Sequence, residues 1–252
     1  MRILLINPNT SQSFTDLILD IAQQYKEPGT VVAARNPLSG PRSIESVYDE
    51  LLSAQGTLQL FLDEMDQYDG FIIACYSDHP AIYALRELTD KPVLGIAESS
   101  MLMSCMLGYR FSVVTTNQEW EPLLWDAVRH YGLQQRCASI RSTGMAVLDL
   151  EADDDQSSYT SIRDAARKAL DEDGAEVICL GCAGMSGLDK ELERELNVPV
   201  IDGVASALKL MEGLLRYGGR TSKRRAYSYP RHKDLDNLPL EFSQAYSDYP
   251  LA

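Results

Sequence analysis

The chain has 252 residues, 45% of them hydrophobic and 24% charged, enough to bury a substantial core as one large domain or two smaller lobes. Its formal charge of −14 argues against generic phosphate-backbone binding, so no nucleic-acid partner is expected. No apolar run approaches the roughly 20 residues that span a bilayer, and Met1-Arg2 leads straight into Ile3-Leu4-Leu5-Ile6 with no cleavage site, so neither membrane nor export is expected. Five cysteines, mostly in apolar or strand-like settings, fit free thiols in a reducing compartment, by default the cytoplasm.

In chain order, 2–6 reads as a buried strand, and Phe14, Leu17, Ile18 and Ile21 give 11–25 the 3.6-residue period of a helix. A second strand is expected at 31–34. A long helix follows over 44–65, with Val47, Leu51, Leu58, Phe61, Leu62 and Met65 expected to face inward. The third strand is 70–75, Pro80 suits the first turn of a helix to about Leu88, and 93–97 is the fourth strand.

After 101–107 the pattern restarts. Strand 111–115 and helix 119–131 are followed by strand 136–141, an acidic loop at 149–156 and a helix over 160–170. Strand 175–182, helix 188–196, strand 198–202 and helix 204–217, stopped by Gly218-Gly219, complete the series. Alternating strands and helices predict an α/β fold with parallel sheets covered on both faces.

The two halves resemble each other at a separation of 107 positions, the distance from Cys75 to Cys182. Pro92-Val93 maps onto Pro199-Val200, and Asn9 onto Thr116. The expected division is a first lobe of residues 1–97, joined by the closing helix and tail 204–252, and a second lobe of 98–203. Ligands of open α/β sheets sit beyond the carboxyl ends of the strands, where Asn9, Cys75, Thr116 and Cys182 all fall.

A free cysteine is usually a small buried hydrophobe, which suffices for Cys105, Cys137 and Cys179. Cys75 and Cys182 differ, because packing alone gives no reason for cysteines at equivalent strand ends, each before a polar or glycine-rich turn. Facing one cleft, two thiols could carry a proton between the faces of a planar carbanion. Cys179 and Cys182 also form a C-x-x-C, but a separation of three within a strand points them to opposite faces, against a redox pair. His79, His130 and His232 are scattered, so no metal site is expected. Nucleotide and hydrolase motifs are missing. In the turn after Cys75, Asp78 and His79 read as turn and helix-cap residues.

With that pair, Asn7-Pro8-Asn9-Thr10-Ser11 and Gly181-Cys182-Ala183-Gly184-Met185 closely resemble the hydantoin and allantoin racemase branch of the aspartate/glutamate racemase superfamily. The likeness covers about residues 1–217. The Cys75-Tyr76-Ser77-Asp78-His79-Pro80 turn and the tail look more like fungal members. The resemblance implies two pseudo-symmetric Rossmann-like lobes with the active site between them, and a cofactor-independent racemase of cyclic ureides. Cys75 and Cys182 would be the two bases. Asn9, Ser77, Thr115, Thr116 and the Ala183-Gly184 backbone would hold the substrate's carbonyl and amide groups. Strand-to-helix turns are expected to lower the thiol pKa values through the helix dipole.

An amino-acid racemase would need to fix a free carboxylate, and no arginine stands by the motifs to do so; a catalytically silent ureide-binding protein is the other alternative. A homo-oligomer is expected. The basic tail, with Tyr227, Tyr229, Phe242, Tyr246 and Tyr249 as anchors, is expected to dock on its own body or on a sister subunit.

Overall fold

A computed structural model describes residues 1–152 and 157–246. It contains two four-stranded parallel sheets of the same topology. The first is built from β1 (Arg2–Ile6), β2 (Val31–Arg35), β3 (Gly70–Ile73) and β4 (Val93–Gly95), in the order β2-β1-β3-β4. The second uses β5 (Phe111–Thr115), β6 (Cys137–Ser142), β7 (Val177–Leu180) and β8 (Val200–Ile201), in the order β6-β5-β7-β8. The central strands are buried along almost their whole length. Helices cover both faces, which is why the sequence there is apolar without alternation.

The connections are α1 (Gln12–Tyr25), α2 (Val47–Glu64), α3 (Pro80–Leu88), α4 (Ile96–Leu107), α5 (Glu121–His130), α6 (Asp149–Ala152), α7 (Ser157–Asp173), α8 (Asp189–Leu196) and α9 (Gly203–Tyr217). Ser11 caps α1, accepting from the Phe14 N–H, and Gly218 ends α9 at a left-handed φ of 77°. The helix after each fourth strand crosses over. α4 packs on β7 of the second sheet, α9 on β3 of the first, and the two helices pack together. One continuous core therefore joins both sheets, running from Ile3, Leu5 and Ile72 to Val113, Val177 and Cys179.

Four local expectations change. Ile96 and Ala97 open α4 rather than extending β4. A short apolar run does not distinguish a strand end from a buried helix start. The 149–156 loop contains the short helix α6; residues 153–156 lie outside the described residues. The β5–α5 junction is a 3-10 turn over Gln118–Trp120. On α2 the buried residues are Ser53, Thr57 and Phe61, whereas Val47 and Leu51 are 49% and 63% exposed. Small side chains at i and i+4 let α3 approach closely, and Ser53 Oγ lies 2.8 Å from His79 Nε2 across that contact.

The tail runs back over α3 and α2. Thr221 N–H donates to Asp90 O at 2.7 Å, and Lys223 Nζ donates to the carbonyls of Arg86, Glu87 and Thr89 at the end of α3. A short α10 (Leu240–Gln244) packs on α2. Tyr249 lies outside the described residues.

Candidate active site

The two cysteines are placed by equivalent hydrogen bonds. Beyond β3, Ala74 N–H donates to Ile6 O at 2.8 Å, and Cys75 is the next residue. Beyond β7, Gly181 N–H donates to Val114 O at 2.7 Å, and Cys182 follows. Each ladder ends one residue before its cysteine. The chain therefore leaves both sheets at the same point, and both cysteines line one cavity of about 40 Å³. The register corrects one mapping. Ile6 pairs with Ile73 and Val114 with Leu180, so the first strands are offset by one residue more than the third. Asn9 is thus equivalent to Asn117, not to Thr116.

Asn7, Asn9 and Thr116 line the cavity together with Ala183 and Gly184. Phe14 and Trp120 form apolar walls from α1 and the 3-10 turn, and Ile44 and Val147 close it from connecting segments. Asn7 was not singled out in the sequence, although it stands in the first motif. It is 1% exposed, and its Nδ2 donates to Asn9 Oδ1, Ser11 O and Thr15 Oγ1. Asn9 Oδ1 also accepts from Ser11 N–H at 2.9 Å. With its oxygen so engaged, Asn9 has its NH2 left to meet a ligand acceptor.

Two expected binding residues lie elsewhere. Thr115 is fully buried, its hydroxyl donating to Gly181 O at 3.2 Å, so it ties the ends of β5 and β7. Ser77 sits behind Cys75, donating to its Sγ at 3.5 Å, and lines a neighbouring cavity instead. The Gly184 N–H works to hold the Cys182 pKa down. His79 is the N-cap of α3, its Nδ1 accepting from Ala81 N–H at 3.2 Å. Asp78 accepts from Tyr83 and Tyr131 and contacts His130 Nδ1.

The thiols differ from the electrostatic expectation. Burial pushes Cys75 well up, opposed by the Ser77 hydroxyl and reinforced by Glu50 and by charge on Cys182. Burial likewise pushes Cys182 up to about 11, opposed by the N–H groups of Gly184 and Met185. The helix dipole fades within one turn. Cys75 is separated from α3 by an extended turn, and Cys182 meets only a three-residue 3-10 turn, so desolvation wins. Cys179 points away from Cys182, with its sulfur 3.0 Å from Ser104 Oγ; the two pack into different clusters on opposite sides of β7. No lysine, arginine or histidine lines the cavity.

Two parallel sheets of one topology, each with a cysteine just beyond its third strand, bring both cysteines to one cavity. Residues 3–211 match the Asp/Glu/hydantoin racemase family, and the chain belongs to it. A hydantoin racemase of Pseudomonas sp. (strain NS671) is 45% identical over 93% of this chain and 94% of its own. Allantoin racemase from Klebsiella pneumoniae superposes with a TM-score of 0.91 at 40% identity, covering 97% of this chain and 98% of that one. That of Pseudomonas fluorescens gives 0.91 at 40%, over 94% and 100%.

Proposed function

We propose that the protein racemises a cyclic ureide, a 5-substituted hydantoin or allantoin, with Cys75 and Cys182 carrying the proton on opposite ring faces and no metal or organic cofactor required. The observation that carries this reading is the presence of two equivalent strand-end cysteines in one cavity. The ring C–H stands beside a carbonyl. A thiolate removes the proton, the electron pair delocalises onto the carbonyl oxygen, and the opposite thiol returns a proton. Reversal exchanges the roles.

The raised pKa values fit this division of labour. Charge on Cys182 disfavours charge on Cys75, so the pair holds one base and one acid at a time. A buried thiolate is sparsely populated but strongly basic, which suits a weakly acidic C–H. Asn9, Thr116 and the Ala183 N–H are the groups placed to hold the ring's carbonyl and amide edges. A free carboxylate would find no cation among the lining residues, which favours a neutral ring over an amino acid. Exposed Val47, Tyr48, Leu51 and Leu52 on α2 support a homo-oligomer, and five free thiols suit the cytoplasm.

Polarimetry on (S)-allantoin and a 5-alkyl hydantoin tests the reading. Wild type should abolish the rotation, and Cys75→Ser and Cys182→Ser should each slow this by about 10³-fold. Either variant should still exchange the ring proton of one enantiomer with deuterium. A Cys75→Ser protein that racemises at wild-type speed refutes the two-thiol reading.

A further inference from the structure

The surroundings of the two sulfurs are unlike. The backbone N–H groups of Gly184 and Met185, which never take a proton away, hold the Cys182 pKa down, and the Glu45 charge, its carboxylate bound to Ser43 and Asn117, pushes it up. Cys75 faces the Ser77 hydroxyl, with Oγ 3.5 Å from Sγ. The Ser77 hydroxyl also holds down the pKa of the Glu50 carboxyl, on α2, against the rise from burial. Glu50 and Ser77 also line a second cavity, of about 240 Å³, with Asp78, Asp126 and His130. That volume holds several waters at ~30 Å³ each. Trp120 lines both cavities and so forms a shared wall.

We propose that Glu50 is the positioning residue that sets the protonation of Cys75, taking its proton through the Ser77 hydroxyl and exchanging it with water in the second cavity. This rests on the two-cysteine reading above. Ser77 has one hydroxyl proton and two neighbours, so its hydrogen bonds run in one of two directions. In one, the Cys75 S–H donates to Ser77 Oγ, which donates to the Glu50 carboxylate. In the other, the Glu50 carboxylic acid donates to Ser77 Oγ, which donates to the Cys75 thiolate. Two protons shift between these arrangements. The S–H bond breaks as a new Ser77 O–H forms, and the old Ser77 O–H breaks as a Glu50 O–H forms. The total charge stays at one negative throughout. Relay hydrogen bonds of this kind tighten in the reacting complex.

The asymmetry has a chemical use. One turnover leaves the proton on the opposite sulfur, so the next molecule of the same enantiomer needs the pair reset. Cys75 has a hydroxyl in contact that can carry that exchange. Burial and the Asp78 charge raise the Glu50 pKa while Ser77 lowers it, so the carboxyl can hold a proton nearer neutrality than an ordinary glutamate. Asp78, Asp126 and His130 are the other titratable groups around that cavity. His79 approaches through Ser53, whose hydroxyl donates to Glu50 O at 2.8 Å.

The test uses the full chain and Glu50→Gln, which keeps the size but cannot take a proton. Iodoacetamide alkylation of Cys75 and Cys182, located by peptide mass, is followed against pH. Losing the Glu50 charge should lower the Cys75 pKa, so Cys75 should react about 10-fold faster at neutral pH, equivalent to one unit of pKa, with Cys182 unchanged within about twofold. Ser77→Ala removes the hydrogen bond that stabilises the thiolate and should slow Cys75 instead, and kcat should fall no further in the double variant than in either single one. In racemisation, Glu50→Gln should lower kcat by about 10²-fold with little change in KM, and Glu50→Asp should restore part of it. A Cys75 alkylation profile identical in wild type and Glu50→Gln overturns the relay even in an active enzyme. A wild type that racemises no cyclic ureide strikes the two-cysteine reading instead, and the alkylation result still judges the relay.

Discussion

Replacing Gly181 by alanine tests whether the close meeting of β5 and β7 aims the Cys182 sulfur. An added Cβ would stand 2.6 Å from Val114 O, 2.7 Å from Val113 Cγ1 and 3.1 Å from Thr115 Cβ. The first of these is the oxygen that accepts the Gly181 N–H at 2.7 Å, and Thr115 donates to Gly181 O. Backbone on one side and a ladder bond on the other leave no flexible side chain to yield, so the Gly181-Cys182 segment must move. Overpacking of this kind costs about 1–3 kcal/mol. At 2–4 °C per kcal/mol for a chain of this size, Tm should fall by roughly 2–12 °C. A displacement approaching 1 Å at a reacting group costs about 10²-fold in rate. Gly213→Ala is the control, because it lies within α9 with nothing inside 4 Å of the added Cβ. It should gain about 0.5–1 kcal/mol and leave turnover intact. Thermal unfolding with polarimetry reads both variants. A Gly181→Ala protein that melts and turns over like wild type refutes the argument.

Two further outcomes concern stability. Burial lowers the His79 pKa from 6.5 to about 4, so the folded state holds it neutral while the unfolded state takes up a proton below 6.5. Its contribution is therefore full above pH 6.5 and lost as pH falls toward 4, a swing of about 3 kcal/mol. His79→Asn keeps a capping acceptor and should remove that part of the acid limb; denaturant midpoints from pH 7 to 4 that fall in parallel for both proteins would exclude it. Lys223→Met strips the ammonium from the last carbonyls of α3, which should cost about 1 kcal/mol and speed proteolysis of the tail without altering the cysteine chemistry. A tail cleaved no faster than in wild type would separate it from that contact.

The strands at 2–6, 70–73 and 177–180 were readable because burial on both faces leaves a nearly unbroken apolar signature. Helix limits at Ser11, Pro80 and Gly218 were readable because capping and φ preferences are local. The inward face of α2 was not. Its buried side is marked by Ser53 and Thr57, residues that look solvent-facing until α3 is packed against them. The same limit explains Ser77 and Thr115, for which the family resemblance implied substrate contact but whose hydroxyls turn to Cys75 and Gly181.

The amino-acid order alone determined that the chain is a duplicated α/β protein with a cysteine at one matching strand end in each half, since repetition and hydrophobic period are properties of a linear string. Only the tertiary structure decided the one-residue difference in offset, the shared cavity and the sign of the thiol pKa shifts. Register, enclosure and desolvation depend on what stands across a gap in space, and a residue's neighbours in sequence do not encode that distance.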